Sequence, residues 1–438
     1  MKRIVALVLA LLMVATVLAA CGGNSDSGSS DSGKTTDSIT VNIWDSNQQA
    51  GIQEIADDWS ATSGIKVSVE VVDWDNYWTL LEAGASGGTM PDVFWMHSNT
   101  AQMYMENDIL LKLNDYVDAD DAIDLSKYYE GVRDLYTRDD GGIYALPKDH
   151  DTIALLYNKA IFDEYNVEYP TDEWTWDDMY EAAKAITEGS NGDVYGMAMN
   201  TSNNQDGWYN LVYDYGAEII NETHDGTTIG SDEGKAGMEM VRKLLTVGAP
   251  QSVVAETGTD SLFQSAKTAM ITQGSWMINA FYTAENHDDY AWALLPYADV
   301  NGNGTCDDGE RYSAYNGLGW AASAATADPA SCYSLISYFC SEEGQLKQSE
   351  LGVTMGGMEG VSDAFANAFP GMDITPFLEA ENYNLFFRPY TRNTTVWEDA
   401  LQQAGAFLDP WQNPDDPELM ATACENAQKI IEDAIAAE

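Results

Sequence analysis

The sequence predicts an α/β protein with two domains or lobes. Strand-like and helix-like segments alternate along much of the chain, which is the pattern of βαβ units. The 438 residues also exceed the roughly 100–200 residues of a typical single domain. Apolar residues make up 45% of the chain and aromatic residues 11%, enough for large hydrophobic cores. These observations exclude a disordered chain in spite of its many acidic residues.

The first group of elements has the order of a βαβ unit. Four apolar side chains, Ile52, Ile55, Ala56 and Trp59, recur at helical spacing, and Gly64 stands where a helix C-cap belongs. The predicted elements are a strand at 39–44, a helix at 48–63, a strand at 66–73, a helix near Trp78 and a strand at 91–96. We expect the three strands to form a parallel sheet.

A second group of elements begins near residue 145. Its clearest signal is a capping box, with Thr175 as the N-cap, Asp178 at the third position and Gly189 closing the helix. The other predicted elements are strands at 153–158, 290–296 and 315–323, and helices at 234–246, 261–266, 329–341 and 417–437. No internal repeat accompanies them.

The charge excludes two classes of partner. Lys and Arg number 20 against 71 Asp and Glu, so the formal net charge is −51. Binding of a nucleic acid depends on Lys and Arg that displace counterions from phosphates, and adhesion to anionic lipids needs a basic patch. The sequence therefore predicts neither a nucleic-acid partner nor a membrane contact through charge.

The N-terminus has the features of an export signal. Lys2 and Arg3 precede an uncharged apolar run at 4–20, and we interpret residues 1–20 as a signal peptide. The ending Leu-Ala-Ala-Cys resembles a bacterial lipobox, in which Cys21 would be lipidated and become the first mature residue. An ordinary signal peptide or an uncleaved anchor is the alternative. Residues 21–37 are rich in Gly, Ser and Asp and read as a flexible tether. We expect an extracytoplasmic protein held at the membrane by its N-terminal lipid only.

Four further cysteines, Cys306, Cys332, Cys340 and Cys424, could form disulfides in an exported protein. Cys332 and Cys340 fall on one predicted helix, about 12 Å apart. That separation exceeds the roughly 7 Å limit between the Cα atoms of a disulfide. The other pairings stay open.

Several ordered motifs carry a family resemblance. They lie at 59–69, 87–93, 110–114, 144–147, 156–159, 174–177, 263–270 and 274–276. In this order and spacing they resemble the carbohydrate-binding branch of the substrate-binding lipoproteins of ABC importers (family 1 extracellular solute-binding proteins). The sequence departs from the family pattern at Trp59, where Phe is usual, and at Ala266, where Gly is usual.

The resemblance implies a periplasmic-binding-protein-like fold with two hinge-joined α/β lobes and a ligand cleft between them. By analogy the N-lobe comprises 38–149 plus 297–344, and the C-lobe comprises 150–296 plus 345–438. The resemblance further implies a receptor that captures a mono- or oligosaccharide and delivers it to the transmembrane permease subunits of an ABC importer. We expect it to be a monomer without catalytic activity.

Sugar recognition needs flat apolar faces and planar polar groups, and the position of each residue decides between a site and a core role. Ligands of open α/β sheets bind beyond the carboxyl ends of strands. The candidates are Trp44, Asp45, Trp95, His97, Asp149, Asp151, Trp208, Trp276, Tyr315, Asn316, Trp320 and Arg388. We expect Trp59, Trp78 and Trp176 to be core residues.

Three of these candidates also have an alternative role that does not involve a ligand. Asp149 and Asp151 could accept hydrogen bonds from sugar hydroxyls or form a solvated acidic turn. Arg388 could clamp hydroxyls or a carboxylate, or pair with a structural acid.

A calcium-loop pattern occupies residues 299–310 and matches D-x-[DN]-x-[DN]-G-x₅-E at every specified position. The predicted ligands are Asp299, Asn301, Asn303, the carbonyl of Thr305, Asp307 and Glu310. The loop departs from the usual pattern at Cys306 and in having predicted strands on both sides. It predicts a structural Ca²⁺, with a Gly/Asn/Asp hairpin loop as the alternative.

The sequence lacks the short motifs of several common enzyme classes. The sequence contains neither H-E-x-x-H nor G-x-S-x-G, and both phosphate-loop patterns are absent. A surface-anchored glycoside hydrolase stays an alternative, because 71 acidic residues always offer carboxylate pairs. A binding protein for a non-sugar solute, such as a peptide, a polyol or a metal held by His97 and His150, is the other.

Overall fold

The protein is described by a computed structural model that covers residues 36–202 and 205–438. The signal peptide, Cys21 and most of the tether lie outside these residues. The strands are β1 (Ser38–Ile43), β2 (Lys66–Val71), β3 (Val93–Met96), β4 (Ala145–Pro147), β5 (Ile153–Asn158), β6 (Met270–Gly274), β7 (Tyr290–Ala293), β8 (Tyr312–Tyr315), β9 (Gly319–Ala322) and β10 (Asn384–Phe387).

The helices surround the sheets. They are α1 (Gln49–Ser63), α2 (Trp74–Gly87), α3 (Ser98–Glu106), α4 (Asn114–Val117), α5 (Glu130–Leu135), α6 (Lys159–Tyr165), α7 (Trp176–Gly189), α8 (Tyr209–Asp214), α9 (Asp232–Val247), α10 (Gln251–Thr257), α11 (Thr259–Gln264), α12 (Ile278–Tyr282), α13 (Pro329–Cys340), α14 (Glu342–Glu350), α15 (Ser362–Asn367), α16 (Thr375–Glu379), α17 (Thr394–Leu401), α18 (Leu408–Gln412) and α19 (Pro417–Ala436). Short 3₁₀ turns lie at Leu125–Lys127, Ser275–Met277, His287–Asp289 and Ala380–Asn382.

A five-stranded sheet has the order β2-β1-β3-β9-β4. Its β1 pairs in parallel with β2 and with β3, which confirms the parallel unit expected from the first βαβ pattern. The strand β9 is antiparallel to both β3 and β4, which the sequence did not predict. The chain leaves the sheet at Pro147, the end of β4, and re-enters it at Gly319, the start of β9. Because these two residues lie opposite each other, β9 runs in the opposite direction to β4.

Apolar layers cover both faces of this sheet. In β3, Val93 and Trp95 belong to a core that includes residues of α1 and α13, while Phe94 and Met96 belong to a second core with residues of α2 and α3. Successive side chains of a strand point to opposite faces, so a strand that is apolar throughout must be covered twice.

A three-stranded sheet of order β6-β5-β7 is the centre of the second half of the protein. Here β5 is antiparallel to both neighbours, and its residues Ile153 and Leu155 face one core while Ala154 and Leu156 face another. A separate two-stranded sheet pairs β8 in parallel with β10.

Three segments of chain connect the cores of the two larger sheets, and we call them the crossover segments: 148–152, 316–318 and 354–357. The first links β4 to β5 and the second links β8 to β9. In the third, Met355 packs in a core of the three-stranded sheet, whereas Val353 and Met358 pack with the five-stranded sheet. The single strand predicted at 315–323 was therefore wrong, because the second crossover breaks it.

The packing of 353–361 bears on the predicted lobes. Val361 joins Val353 and Met358 in the core of the five-stranded sheet, although the family analogy assigns residues from 345 onward to the C-lobe. The lobe boundaries at 149, 296 and 344 stay predictions.

Most other local predictions agree with the structure. Thr175 and Asp178 form the predicted capping box, and Trp59 and Trp176 are buried in cores, while Trp78 is only half-buried. Cys306, Cys332, Cys340 and Cys424 are free thiols. Within the described residues, no helix is both long and apolar enough to cross a membrane.

Close packing of α8 on α9 fixes the loop that precedes α8. A Cβ atom added to Gly237 of α9 would lie 2.9 Å from the carbonyl oxygen of Leu211 and 3.1 Å from the Cα of Val212. On α8, Asn210 donates to the carbonyl of Gln205 and accepts from the backbone of Ala314. The position of Gln205 therefore depends on this helix pair.

We expect Gly237→Ala to lower the free energy of unfolding by about 1–3 kcal/mol, because overpacking against backbone outweighs the better helix propensity of Ala. Urea denaturation followed by circular dichroism measures this. The control is Gly87→Ala at the end of α2, where the added Cβ meets nothing closer than 3.7 Å. An unchanged stability of Gly237→Ala would contradict the close approach of α8 and α9.

Candidate functional site

Aromatic side chains gather beyond the carboxyl ends of β1, β2 and β3. Because these strands are parallel, their carboxyl ends meet at one edge of the sheet. Trp44 follows β1, Trp74 follows β2 and His97 follows β3. The ring centroids of Trp44 and Trp74 are 5.1 Å apart and those of Trp74 and His97 5.3 Å. We call these three residues and Trp78 the aromatic cluster.

Trp74 is the exposed member of this cluster, with 40% of its surface accessible. Edge-to-face contacts with Trp44, Trp78 and His97 fix its ring. Sequence reasoning missed Trp74, although the signal was available, because the strand-end rule that selects Trp44 and His97 also applies to β2.

Asp45 and the buried Lys148 are connected through one glutamine. Asp45 accepts from the backbone of Asn47 at 2.8 Å and from Nε2 of Gln48 at 3.0 Å. Oε1 of Gln48 in turn accepts from Nζ of Lys148 at 3.0 Å. Asp45 thus holds the β1–α1 turn and orients the glutamine toward the first crossover segment.

Asp149 pairs with Lys148 inside the protein. Lys148 is fully buried, binds one oxygen of Asp149 and lies 4.4 Å above the ring centroid of Trp95. The other oxygen of Asp149 accepts from the backbone of Leu318 at 2.7 Å. The alternative of a solvated acidic turn is wrong, because Asp149 and Asp151 are buried and both oxygens of Asp149 have protein donors. Contact of Asp149 with a ligand stays a prediction.

A chain of polar side chains runs from the five-stranded sheet to the loop before α8. The side-chain amide of Asn316 lies 3.3 Å from Nε2 of His97 and 3.3 Å from Oε1 of Gln205. Nε2 of Gln205 donates to Asp151 at 2.6 Å. We call these four residues, His97, Asn316, Gln205 and Asp151, the polar chain. Gln205 was not among the sequence candidates, and the polar run at 201–206 was its only signal.

Burial shifts the protonation of both ends of the polar chain. Burial, and after it the positive charge of Arg388, lower the pKa of His97 well below its usual value, so the ring is uncharged at neutral pH. Burial and the negative charge of Asp149 raise the pKa of Asp151 well above its usual range, against the opposing charge of Lys148. Both shifts favour the uncharged form of the group, so the polar chain carries little charge of either sign.

Arg388 is paired with an acid, as one of its two sequence interpretations proposed. Its Nη2 lies 2.7 Å from Oε1 of Glu398, and both side chains are largely buried. The hydroxyl of Tyr209 donates to the same carboxylate oxygen at 3.0 Å, and the backbone N–H of Arg388 donates to the carbonyl of Tyr315 at 2.7 Å. Sequence reasoning could not identify Glu398 among so many acids.

Trp276 comes from the three-stranded sheet, where it is partly buried against one of the cores. It follows β6 in a 3₁₀ turn, and its ring lies against Gly274, where an added Cβ would meet the indole at 1.9 Å. Only glycine leaves room for this arrangement. Three residues later, Asn279 donates to the carbonyl of Asn47 at 3.5 Å, so the Trp276 turn adjoins the β1–α1 turn that holds Asp45.

The remaining candidates are buried. Trp95, Trp208 and Trp320 have no exposed surface, and Tyr315 is almost fully buried. Trp320 stacks on Phe339 and Trp208 packs against Phe407. Contact of these residues with a ligand stays a prediction; in this structure they support the site from the cores.

A cavity of about 700 Å³ lies elsewhere, lined by residues from 200–202, 245–259 and 402–415. None of the twelve sequence candidates lines it. The candidate ligand site is instead the region bounded by the aromatic cluster, the polar chain and Trp276.

The loop at 299–310 brings its carboxylates toward one asparagine. The carboxylate of Asp299 accepts from the backbone of Asn303 and Gly304. The Asn301 amide donates to Asp307 at 2.7 Å and to Glu310 at 3.1 Å. Among the described residues, no three acidic, histidine or cysteine side chains form a preformed metal site. The five predicted side-chain ligands all carry oxygen atoms, the type of donor that Ca²⁺ takes, and binding of the ion stays a prediction.

The comparisons with known proteins agree on fold and family. A chain of Listeria monocytogenes, an ABC substrate-binding protein in complex with cycloalternan, superposes with a TM-score of 0.80 at 22% identity, over 92% of this chain and 99% of that one. The GacH receptor of Streptomyces glaucescens, solved unliganded and with acarbose, superposes with a TM-score of 0.75 at 18% identity, over 91% and 100% of the two chains. The two-lobed α/β fold predicted from the sequence is confirmed.

The relatives found by sequence align over a smaller share of this chain than the solved structures do. The galactooligosaccharide-binding protein of Bacillus subtilis is 24% identical over 282 residues, which span 62% of this chain and 63% of that protein. The maltooligosaccharide ABC transporter solute-binding lipoprotein of Streptococcus pneumoniae is 22% identical over 324 residues, 70% and 68% of the two chains. The alignment thus spans just under two thirds of the first of these relatives.

The family model of the bacterial extracellular solute-binding proteins matches residues 44–346, more than half of the chain. That range begins at Trp44 and includes the aromatic cluster, the polar chain and Trp276. The chain therefore belongs to the bacterial extracellular solute-binding protein family.

Proposed function

We propose that this protein is the substrate-binding component of an ABC sugar importer. It captures a mono- or oligosaccharide between its two lobes and releases it unchanged to the permease. The observation that carries this proposal is the meeting of the aromatic cluster with the polar chain, because pyranose rings need flat apolar faces beside hydrogen-bonding groups. The sugar ligands named for the relatives support the same substrate class.

The two lobes close around the ligand because only the closed arrangement lets both of them contact it. Residues of both larger sheets supply the proposed site, so a bound sugar touches both lobes at once. A ligand with more contacts in the closed form shifts the population toward that form. The permease then reads the closed form, and a monomer suffices for this cycle.

We expect intrinsic tryptophan fluorescence to change saturably with at least one of maltotriose, galactotriose, cellotriose and diacetylchitobiose, since several indoles border the site. Trp276→Ala should weaken that binding by about tenfold, because aromatic contacts contribute about 0.5–1.5 kcal/mol. Trp59→Phe, in the core of the five-stranded sheet, is the control and should bind normally. If no sugar binds, as measured by fluorescence and also by calorimetry, the receptor function is refuted. Release of a cleaved product would indicate a glycosidase.

We also propose that Cys21 carries the lipid that holds the protein at the outer face of the membrane. The support is the lipobox-like sequence and the description of the Streptococcus pneumoniae relative as a lipoprotein. Cys21→Ala should release the protein from the membrane fraction, while Cys306→Ala should leave it bound. Fractionation with immunoblotting measures both, and membrane retention of Cys21→Ala would contradict the anchor.

The loop at 299–310 is proposed to bind one structural Ca²⁺. A chelator should lower the melting temperature, and added Ca²⁺ should restore it, because an ion that binds only the folded state stabilises it by mass action. Asp299→Ala should abolish the shift. Asp308→Ala changes the same loop at a position that supplies no predicted ligand and should keep the shift. Equal shifts in both variants, or none in the wild type, would remove calcium from this loop.

A further inference from the structure

Arg388, a cation connected to the proposed ligand site through Tyr315, is neutralised inside the protein. Arg388 and Glu398 form a largely buried pair at 2.7 Å, and Tyr209 reinforces the carboxylate at 3.0 Å. A paired and buried guanidinium has little charge left to attract an anionic ligand. Arg388 therefore differs from the exposed Arg and Lys clusters that bind anions.

Another buried cation, Lys148, is neutralised in the same way. Nζ of Lys148 binds the carboxylate of Asp149 and has no exposed surface. Each of these two cations thus has one acidic partner, Asp149 for Lys148 and Glu398 for Arg388. Burial lowers the pKa of His97, so the imidazole adds no positive charge.

Two buried polar atoms, one on Arg388 and one on Asn316, have no protein partner within the described part of the chain. They are Nη1 of Arg388, a donor, and Oδ1 of Asn316, an acceptor. Asn316 contacts the His97 ring directly, and the backbone N–H of Arg388 donates to the carbonyl of Tyr315, the residue before Asn316. A buried donor and a buried acceptor left unpaired are costly, so a bound group that serves both is favoured.

A hydroxyl group can serve both atoms, since it donates and accepts at once. A carboxylate can only accept, so it would leave Oδ1 of Asn316 opposite a negative oxygen. It would also be buried near Glu398 without a free cation. Hydrogen bonding and charge therefore both favour an uncharged ligand with hydroxyl groups.

We propose that the site selects uncharged sugars and rejects sugars with a carboxylate at C6, and that Glu398 is the residue that sets this selectivity. The proposal rests on the proposed sugar-binding function and names its substrate class. Glu398 acts through Arg388 and is a positioning residue that keeps the guanidinium neutralised.

The wild-type experiment compares matched sugars by isothermal titration calorimetry. Each neutral sugar that binds, among maltotriose, galactotriose, cellotriose and diacetylchitobiose, is titrated beside its counterpart oxidised to the carboxylate at C6. We expect the acidic counterpart to bind at least about a hundredfold more weakly, because like charges placed together cost several kcal/mol. Equal binding of an acidic counterpart overturns the selectivity while leaving the sugar-binding function intact. Binding of no sugar at all overturns the function itself.

A charge variant tests the role of Glu398. Glu398→Gln should raise the affinity for the acidic sugar by about tenfold while the affinity for the neutral sugar stays within about threefold. Glu106→Gln is the matched control, because Glu106 also pairs with an arginine, Arg392, at 3.0 Å but in a more exposed position. It should leave both affinities unchanged.

An unchanged affinity of Glu398→Gln for the acidic sugar, in a variant with native near-ultraviolet circular dichroism, overturns the role of Glu398. If the variant fails to fold, the wild-type comparison of matched sugars still decides the selectivity of the site.

Discussion

The buried ion pair of Lys148 and Asp149 is the constraint around which the site is arranged. A lysine without exposed surface is tolerated only if its charge is balanced and its donors are used. Asp149, Gln48 and the ring of Trp95 together meet that requirement. Through Asp149 the pair also holds Leu318, where the chain enters β9, so the first two crossover segments cannot move independently at this point.

The site itself follows from where strands end. Parallel strands deliver Trp44, Trp74 and His97 to one edge of the five-stranded sheet, and β6 delivers Trp276 from the other sheet. The aromatic cluster and Trp276 are held in place in two different ways. Mutual ring contacts hold the aromatic cluster, whereas the missing side chain of Gly274 makes room for Trp276. Rigid groups of this kind lose little entropy when a ligand binds.

The overall charge and the charge within the site have different origins. The net charge of −51 is spread over the chain and argues against nucleic acids and anionic lipids. Near the site, the buried cations Lys148 and Arg388 each have one acidic partner, so this part of the interior offers hydrogen bonds rather than free positive charge. A protein can thus be strongly acidic and still present a site that suits an uncharged ligand.

The sequence by itself determined the α/β class, the order of the longest helices and of β1, β2, β3, β5 and β7, and a family resemblance that the comparisons confirmed. It also predicted Trp44 and His97 beyond strand ends, where the structure brings them together in the aromatic cluster, because the end of a strand is a local feature. The same local signal selected Trp95, which the tertiary structure buries together with the candidate Trp320, since β3 and β9 are covered on both faces. Only the tertiary structure decided that β9 is antiparallel, that Gln205 joins Asn316, and that Glu398 is the partner of Arg388. Those contacts join residues as far apart in the chain as Val93 and Ala322 and as near as Arg388 and Glu398, and no periodicity or spacing encodes them.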